Sequence, residues 1–247
     1  VTSTIMWRKA KYDSEIETEC IFGDWIEIII NEGKWKKCKN LSDNYIGWIY
    51  GNPFGDVQKN NYKVVTIRSF TYSKPNIKTN QILCLTMGSK ILVEDIQNDW
   101  AQVTFRKGKN KIISYILLKH IRKTNEKVND WVSTAEKMIG IPYRWGGKNT
   151  IGIDCSALVQ IALQSVNFNA PRNSGSQINM ALPKKKKNEP FYRGMIVFWK
   201  GHVGIMADQL NIIHANAYHM KVYKEPLSLV KERMGKMKIE KVLVFQR

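Results

Sequence analysis

Apolar and polar positions change their period along this chain, and the changes divide it. From Phe22 to Tyr50, "FGDWIEIIINEGKWKKCKNLSDNYIGWIY", short β-branched runs are broken by Gly, Asn and Asp. The same texture returns from Met87 to Leu117, "MGSKILVEDIQNDWAQVTFRKGKNKIISYIL". In both copies a Gly (Gly23, Gly88) precedes a β-branched run and a polar turn, and a Trp (Trp35, Trp100) stands twelve residues after that Gly, at an offset of 65 residues. Each copy closes on an aromatic among isoleucines, Trp48 in "IGWI" and Tyr115 in "ISYI", the second with two extra residues. Short strands bounded by turn residues and repeated at domain length predict two small all-β barrels in tandem.

After "KHIRKTNEK" the period becomes helical. Val128, Trp131, Val132, Ala135, Met138 and Ile139 fall at i, i+3, i+4, i+7, i+10 and i+11, one apolar stripe that Gly140 and Pro142 end. Residues 195–206, "MIVFWKGHVGIM", read as strand, Lys-Gly turn, strand, and "NIIHANA" adds a third strand after an Asp208-Gln209 turn. Helices followed by an antiparallel sheet give an α+β order. The expected domains are 1–56 and 57–124, each a barrel, and 125–247, the α+β domain.

Composition narrows the class. A chain of 247 residues with 43% apolar content and eight Trp buries a real core, and no apolar run approaches the roughly 20 residues that span a bilayer. No membrane association is expected. The start, "VTSTIMWRKAKYDSE", has no apolar segment after its charges, so no signal peptide is visible and a cytoplasmic location is expected; a processed, secreted form would read the same. Cys20, Cys38, Cys84 and Cys155 are scattered without a CxxC pair, which argues against a disulfide scaffold, and the first three suit burial in β-structure. A net charge of +18 invites nucleic-acid binding. The excess is mostly Lys spread along the chain, and the dense run Lys184 to Lys187 sits between prolines as a solvated loop, so no nucleic-acid partner is expected.

The chemistry gathers in "YRWGGKNTIGIDCSALVQIAL", Tyr143 to Leu163. Asp154 stands where an N-cap would, and Leu158, Ile161, Ala162 and Ser165 give the following helix one buried face. Cys155 fits two readings. It extends the core stripe to Leu158 and Ala162, or its place in the first turn, where the helix dipole favours an anion, lowers its pKa and makes it a nucleophile. The histidines favour the second. Of His120, His202, His214 and His219, His202 follows a hairpin turn and His214 lies on the neighbouring strand, where two imidazoles can act as base and orienter.

"PYRWGG", "GIDCSALVQ", "PRNSGSQ", "GMIVFWKGHVGI" and "IIHANAYHMKV", in this order, resemble the NlpC-type cysteine peptidases, papain-like enzymes that cut bacterial cell-wall peptides. The resemblance covers about residues 126–247. It implies Cys155 as nucleophile, His202 as general base, His214 as the orienting third member and Tyr143 as hydroxyl donor to the oxyanion. It further implies that Trp145 walls the cleft, that Asp154 and Ser156 line the adjoining subsite and that Ser174 contacts substrate. Asn173 stands where family members often carry Asp.

The N-terminal barrels resemble bacterial SH3-like domains, so the implied fold is an α+β papain-like domain, helices packed on an antiparallel sheet, preceded by two small SH3-like barrels. That arrangement is similar to γ-D-glutamyl-L-diamino acid endopeptidases. It implies a murein peptide such as L-Ala-γ-D-Glu-diaminopimelate as substrate, with no cofactor and no metal. In such enzymes an acid and an aromatic of the first barrel hold the free amino end; here Asp24 and Tyr45 are the candidates. Alternatives from other classes are a hydrolase of intact wall, a thiol acyltransferase on the same fold, a zinc site of Cys155, His202 and His214, and a basic binding protein.

Overall fold

The 65-residue repeat runs through five strands per copy. The structure is a computed structural model that describes residues 3–107 and 109–245. In the first copy the strands are β1 (Ser3–Trp7), β2 (Ile16–Ile21), β3 (Ile26–Glu32), β4 (Trp35–Asn40) and β5 (Tyr45–Tyr50). After β6 (Tyr62–Val64) come β7 (Arg68–Tyr72), β8 (Gln81–Thr86), β9 (Lys90–Gln97), β10 (Trp100–Lys107) and β11 (Asn110–Leu117), then β12 (Ile121–Lys123). The first sheet has the order β2-β1-β5-β4-β3, and the second, β12-β6-β9-β10-β11-β7-β8, contains the same order run backwards. Every pairing is antiparallel. Neither order returns to its first strand, so among the described residues these are open sheets. At one edge, β3 pairs with β4 alone, and its Ile28, Ile29 and Ile30 are exposed.

The two copies meet where glycine is required. Gly23 has φ +84°, and a Cβ there would lie 2.1 Å from the Lys90 carbonyl oxygen. Only a residue without a side chain lets Lys90 N–H reach the Phe22 carbonyl, at 3.0 Å. Met6, Cys20, Cys38 and Ile49 fill the core of the first copy, and Val64, Leu85, Ile91, Val93, Val103 and Ile116 form most of the second. Two of the three cysteines expected to be buried are so; Cys84 is half-buried.

Chain contacts divide the molecule after Glu126. The second unit holds α1 (Val132–Lys137), the short hairpin β13 (Lys148–Asn149) and β14 (Gly152–Ile153), α2 (Cys155–Gln164), α3 (Ser174–Gln177), β15 (Met195–Trp199), β16 (His202–Met206), β17 (Asn211–Asn216), β18 (Lys221–Pro226), α4 (Leu227–Met234) and β19 (Lys241–Val244). Its antiparallel sheet has the order β18-β17-β16-β15-β19, with α2 against β16 and β17 and α1 against α2. The β15–β16 hairpin turns at Lys200-Gly201, pairing Trp199 with His202.

The first helix is shorter than its stripe predicts. It starts at Val132, whose N–H is accepted by the Asp130 side chain at 3.0 Å, and it buries Trp131, Val132, Ala135 and Met138 while Ile139 is exposed. The Asp130 side chain, which accepts the Val132 N–H, interrupts the period that sequence carried back to Val128. Lys185 to Lys187 lie in a loop, and Lys184 before them forms an isolated bridge to Leu243. No helix among the described residues is long and apolar enough to cross a membrane.

Candidate active site

Asp154 is the N-cap of α2, its Oδ1 accepting the Ala157 N–H at 2.8 Å, so Cys155 is the first residue of the helix. The same carboxylate pairs with buried Arg172, at 2.6 Å and 2.9 Å. Ser156 Oγ donates to Asp154 at 3.1 Å and accepts from Arg172 at 2.9 Å, while Arg172 also reaches the Gly147 carbonyl at 3.3 Å. Asp154 and Ser156 are therefore engaged in a buried network that fixes the helix mouth. Arg172, part of the quoted "PRNSGSQ" motif, carries no signal in sequence that it would be the partner.

The thiol of Cys155 is buried, and the backbone N–H groups of Val203 and Ser156 favour its ionised form. The first of these places it against the residue that follows His202. Burial pushes the thiol up to about 12, with the Asp154 carboxylate adding to the rise, against the pull of Val203, Arg172 and Ser156. This reverses the sequence expectation of a low-pKa thiol. A helix dipole is worth about 0.3–1 kcal/mol at a surface, and desolvation of a thiolate outweighs it.

His202 and His214 come together as expected from adjacent strands, Nε2 of the first 2.8 Å from Nδ1 of the second. Gly204 makes room for them: a Cβ there would lie 2.7 Å from Ile212 Cδ1 and 3.1 Å from His214 Cβ. Burial first, then repulsion from His214 whenever that ring is protonated and from Arg233, holds His202 down to about 3. Burial also lowers His214, although the Glu225 carboxylate favours its charged form. Both rings are neutral near pH 7. No group of three or more His, Cys, Asp or Glu among the described residues is placed to hold a metal ion.

Tyr143 is half-buried and forms a bridge to Ile153, two positions before the thiol. Burial first, then repulsion from Cys155 when ionised and from the Asp154 carboxylate, raises its phenol to about 12, so the hydroxyl keeps its proton as a donor. Trp145 is 69% exposed, and Ser174 is the half-buried first residue of α3. Asn173 is exposed at the N-cap of α3. In the first unit, Asp24 accepts the Ile21 N–H at 3.1 Å and the Asn40 amide at 3.0 Å, and Tyr45 donates its hydroxyl to Glu17.

Sequence reasoning missed Glu225. It is buried on β18, where the register sets it opposite Ile212 and sets His214 opposite Tyr223. Glu225 and His214 are thus diagonal neighbours on one face, with His214 Nε2 at 2.8 Å from Oε1. The available signal was one acid on a strand beside the histidine strand, and it needed the register to be read.

A thiol at the mouth of a helix, against a strand that carries a neutral imidazole backed by a second one, is the equipment of a cysteine peptidase. Residues 140–238 match the NlpC/P60 family, and the chain carries a domain of this family of cell-wall cysteine peptidases. It is similar to a γ-D-glutamyl-L-lysine dipeptidyl-peptidase of Bacillus cereus, 23% identical over 87% of this chain and 72% of the relative. Dipeptidyl-peptidase 6 of Lysinibacillus sphaericus is 25% identical over 82% of this chain and 81% of its own length. In fold, the chain is similar to the crystal structure of an NlpC/P60 family protein from Bacillus cereus, with a TM-score of 0.84 and 16% identity, over the whole of this chain and 98% of the other.

Proposed function

We propose that this chain is a cysteine peptidase that hydrolyses the γ-D-glutamyl–diamino acid bond of peptidoglycan peptides with a free N-terminal L-Ala, through Cys155, His202 and His214. The observation that carries the reading is the 2.8 Å contact between the two imidazoles on strands beside the thiol. The substrate class is supported by relatives named for γ-D-glutamyl-L-lysine and for release of dipeptides.

The chemistry follows from the resting protonation states. The thiol is protonated and His202 is neutral, so no ion pair stands ready. His202 takes the thiol proton as sulfur attacks the γ-glutamyl carbonyl, and the oxyanion is held by the Tyr143 hydroxyl and the Cys155 N–H. The imidazolium returns its proton to the departing amine, leaving a thioester. Water, deprotonated by His202, hydrolyses the thioester and restores the thiol.

The two 65-residue copies are read as bacterial SH3-like domains, supported by their small size and shared strand order. The test is mass spectrometry of products from L-Ala-γ-D-Glu-diaminopimelate, its lysine analogue and their N-acetylated forms. Release of L-Ala-γ-D-Glu from the free-ended peptides, absent with Cys155→Ala, is the expected result. Cleavage elsewhere, or equal cleavage of the acetylated forms, contradicts it.

A further inference from the structure

Glu225 has no assigned part in the chemistry, yet its surroundings bear directly on the base. Its Oε1 lies 2.8 Å from His214 Nε2 and 3.3 Å from His219 Nε2, and Arg233 holds both oxygens, at 2.5 Å and 3.1 Å. Arg233 is itself stacked over the Tyr218 ring at 4.3 Å, and His219 over Tyr223 at 4.1 Å. His214, His219 and Arg233 are thus the titratable or charged groups that face this carboxylate, from β17, from the turn before β18 and from α4.

An ionised carboxylate only accepts hydrogen bonds. His214 must therefore carry its proton on Nε2. A neutral imidazole with Nε2–H has a bare Nδ1, and that atom lies 2.8 Å from His202 Nε2. His202 must in turn donate from Nε2. Being neutral, it is left with a bare Nδ1, the one ring nitrogen not already spent, to receive the thiol proton.

We propose that Glu225 is a positioning residue that sets the tautomer of the general base through His214, so that the Nδ1 lone pair of His202 is always the one available to Cys155. This rests on the reading of Cys155 and His202 given above. Burial alone would raise the Glu225 carboxyl, but hydrogen bonds from Arg233 and His214, with His219 close by, bring it down to about 2, so it stays ionised wherever the enzyme would work. The same chain shares the charge that forms during attack. Once His202 has taken the thiol proton on Nδ1, its Nε2 proton can pass to His214 Nδ1. That leaves His202 neutral and puts the imidazolium on His214, against Glu225.

The test is ¹⁵N NMR of the histidine rings at neutral pH together with steady-state kinetics on the full chain. In the wild type, His202 and His214 should both be protonated on Nε2; finding His214 protonated on Nδ1 alone overturns the proposal without any variant. In Glu225→Gln the single amide oxygen cannot serve Arg233 and His214 as two carboxylate oxygens do. The amide then presents N–H to His214 and inverts both tautomers. The expected result is a mixed or inverted ring pattern and a kcat lower by on the order of a hundredfold, within the span of general base catalysis, with little change in KM. Glu225→Asp, which keeps an anionic acceptor, should recover the ring pattern and part of the rate. A folded Glu225→Gln with wild-type tautomers and wild-type kcat refutes the proposal. Cys155→Ala separates this from the underlying reading: it should be inactive with unaltered ring tautomers, and if it still cleaves, the thiol mechanism fails whatever Glu225 does.

Discussion

Two buried acids flank the thiol, and each is tied to an arginine, but they belong to different kinds of network. At the mouth of α2, Asp154 is bound by Arg172, Ser156 and the Ala157 N–H, and none of these donors changes its protonation near neutral pH. On the far side of the imidazole pair, Glu225 is bound by Arg233 and by His214, with His219 3.3 Å away. Similar chemistry thus builds a scaffold in one place and a proton path in the other. What separates them is whether the neighbours of the acid can gain or lose a proton.

The largest effect should come from breaking the scaffold. Asp154→Ala leaves the Arg172 guanidinium buried without its partner, which costs about 3–5 kcal/mol, and it removes an N-cap worth about 1 kcal/mol. Urea unfolding should show this loss, and the double variant Asp154→Asn/Arg172→Met should recover most of it. If Asp154→Ala were as stable as the wild type and only slower, the two acids would not differ in kind.

Gly204→Ala bears on the other network. The added methyl meets Ile212 and His214, an overpacking of about 1–3 kcal/mol. Because the displaced ring is the partner of His202, kcat should fall more than the lost stability explains. A variant with normal turnover would show that the imidazoles have slack.

Acid should weaken the proton path. His202 and His214 have lowered pKa values in the folded chain, so between about 6.5, the ordinary histidine value, and about 3, the unfolded chain binds more protons than the folded one. Stability therefore rises with pH through this window and is lost as pH falls through it. Thermal melts from pH 7 to pH 4 check the sign. His202→Asn should flatten the dependence.

The smallest effect concerns Asp24. Its carboxylate caps the Ile21 N–H and holds the Asn40 amide, so Asp24→Ala should lower stability by about 1 kcal/mol. Unchanged melting together with a changed preference between free and acetylated substrates would return Asp24 to substrate recognition.

What sequence made legible were local periods. The meanders β3–β5 and β9–β11 stood out because Gly, Trp and β-branched runs recur at a fixed offset. Strands β1, β2, β7 and β8 obey the same offset but share little identity, and only their pairing reveals them. The histidine pair was readable because a tight hairpin turn fixes β16 and strand alternation does the rest. Partners distant in sequence were not readable: Arg172 reaches Asp154 across a loop, and Glu225 meets His214 only through the register of β17 with β18. The thiol shows the same limit with the opposite outcome. Its helix position is local and was found, whereas the burial that governs its pKa is a tertiary property.

The central claim is that Cys155 forms a covalent acyl intermediate. Intact-protein mass spectrometry after rapid acid quenching of the enzyme with L-Ala-γ-D-Glu-diaminopimelate, followed by peptide mapping, tests it directly. The account predicts an L-Ala-γ-D-glutamyl adduct on Cys155, absent in Cys155→Ala. An adduct on another residue, or cleavage that persists in Cys155→Ala, would contradict it.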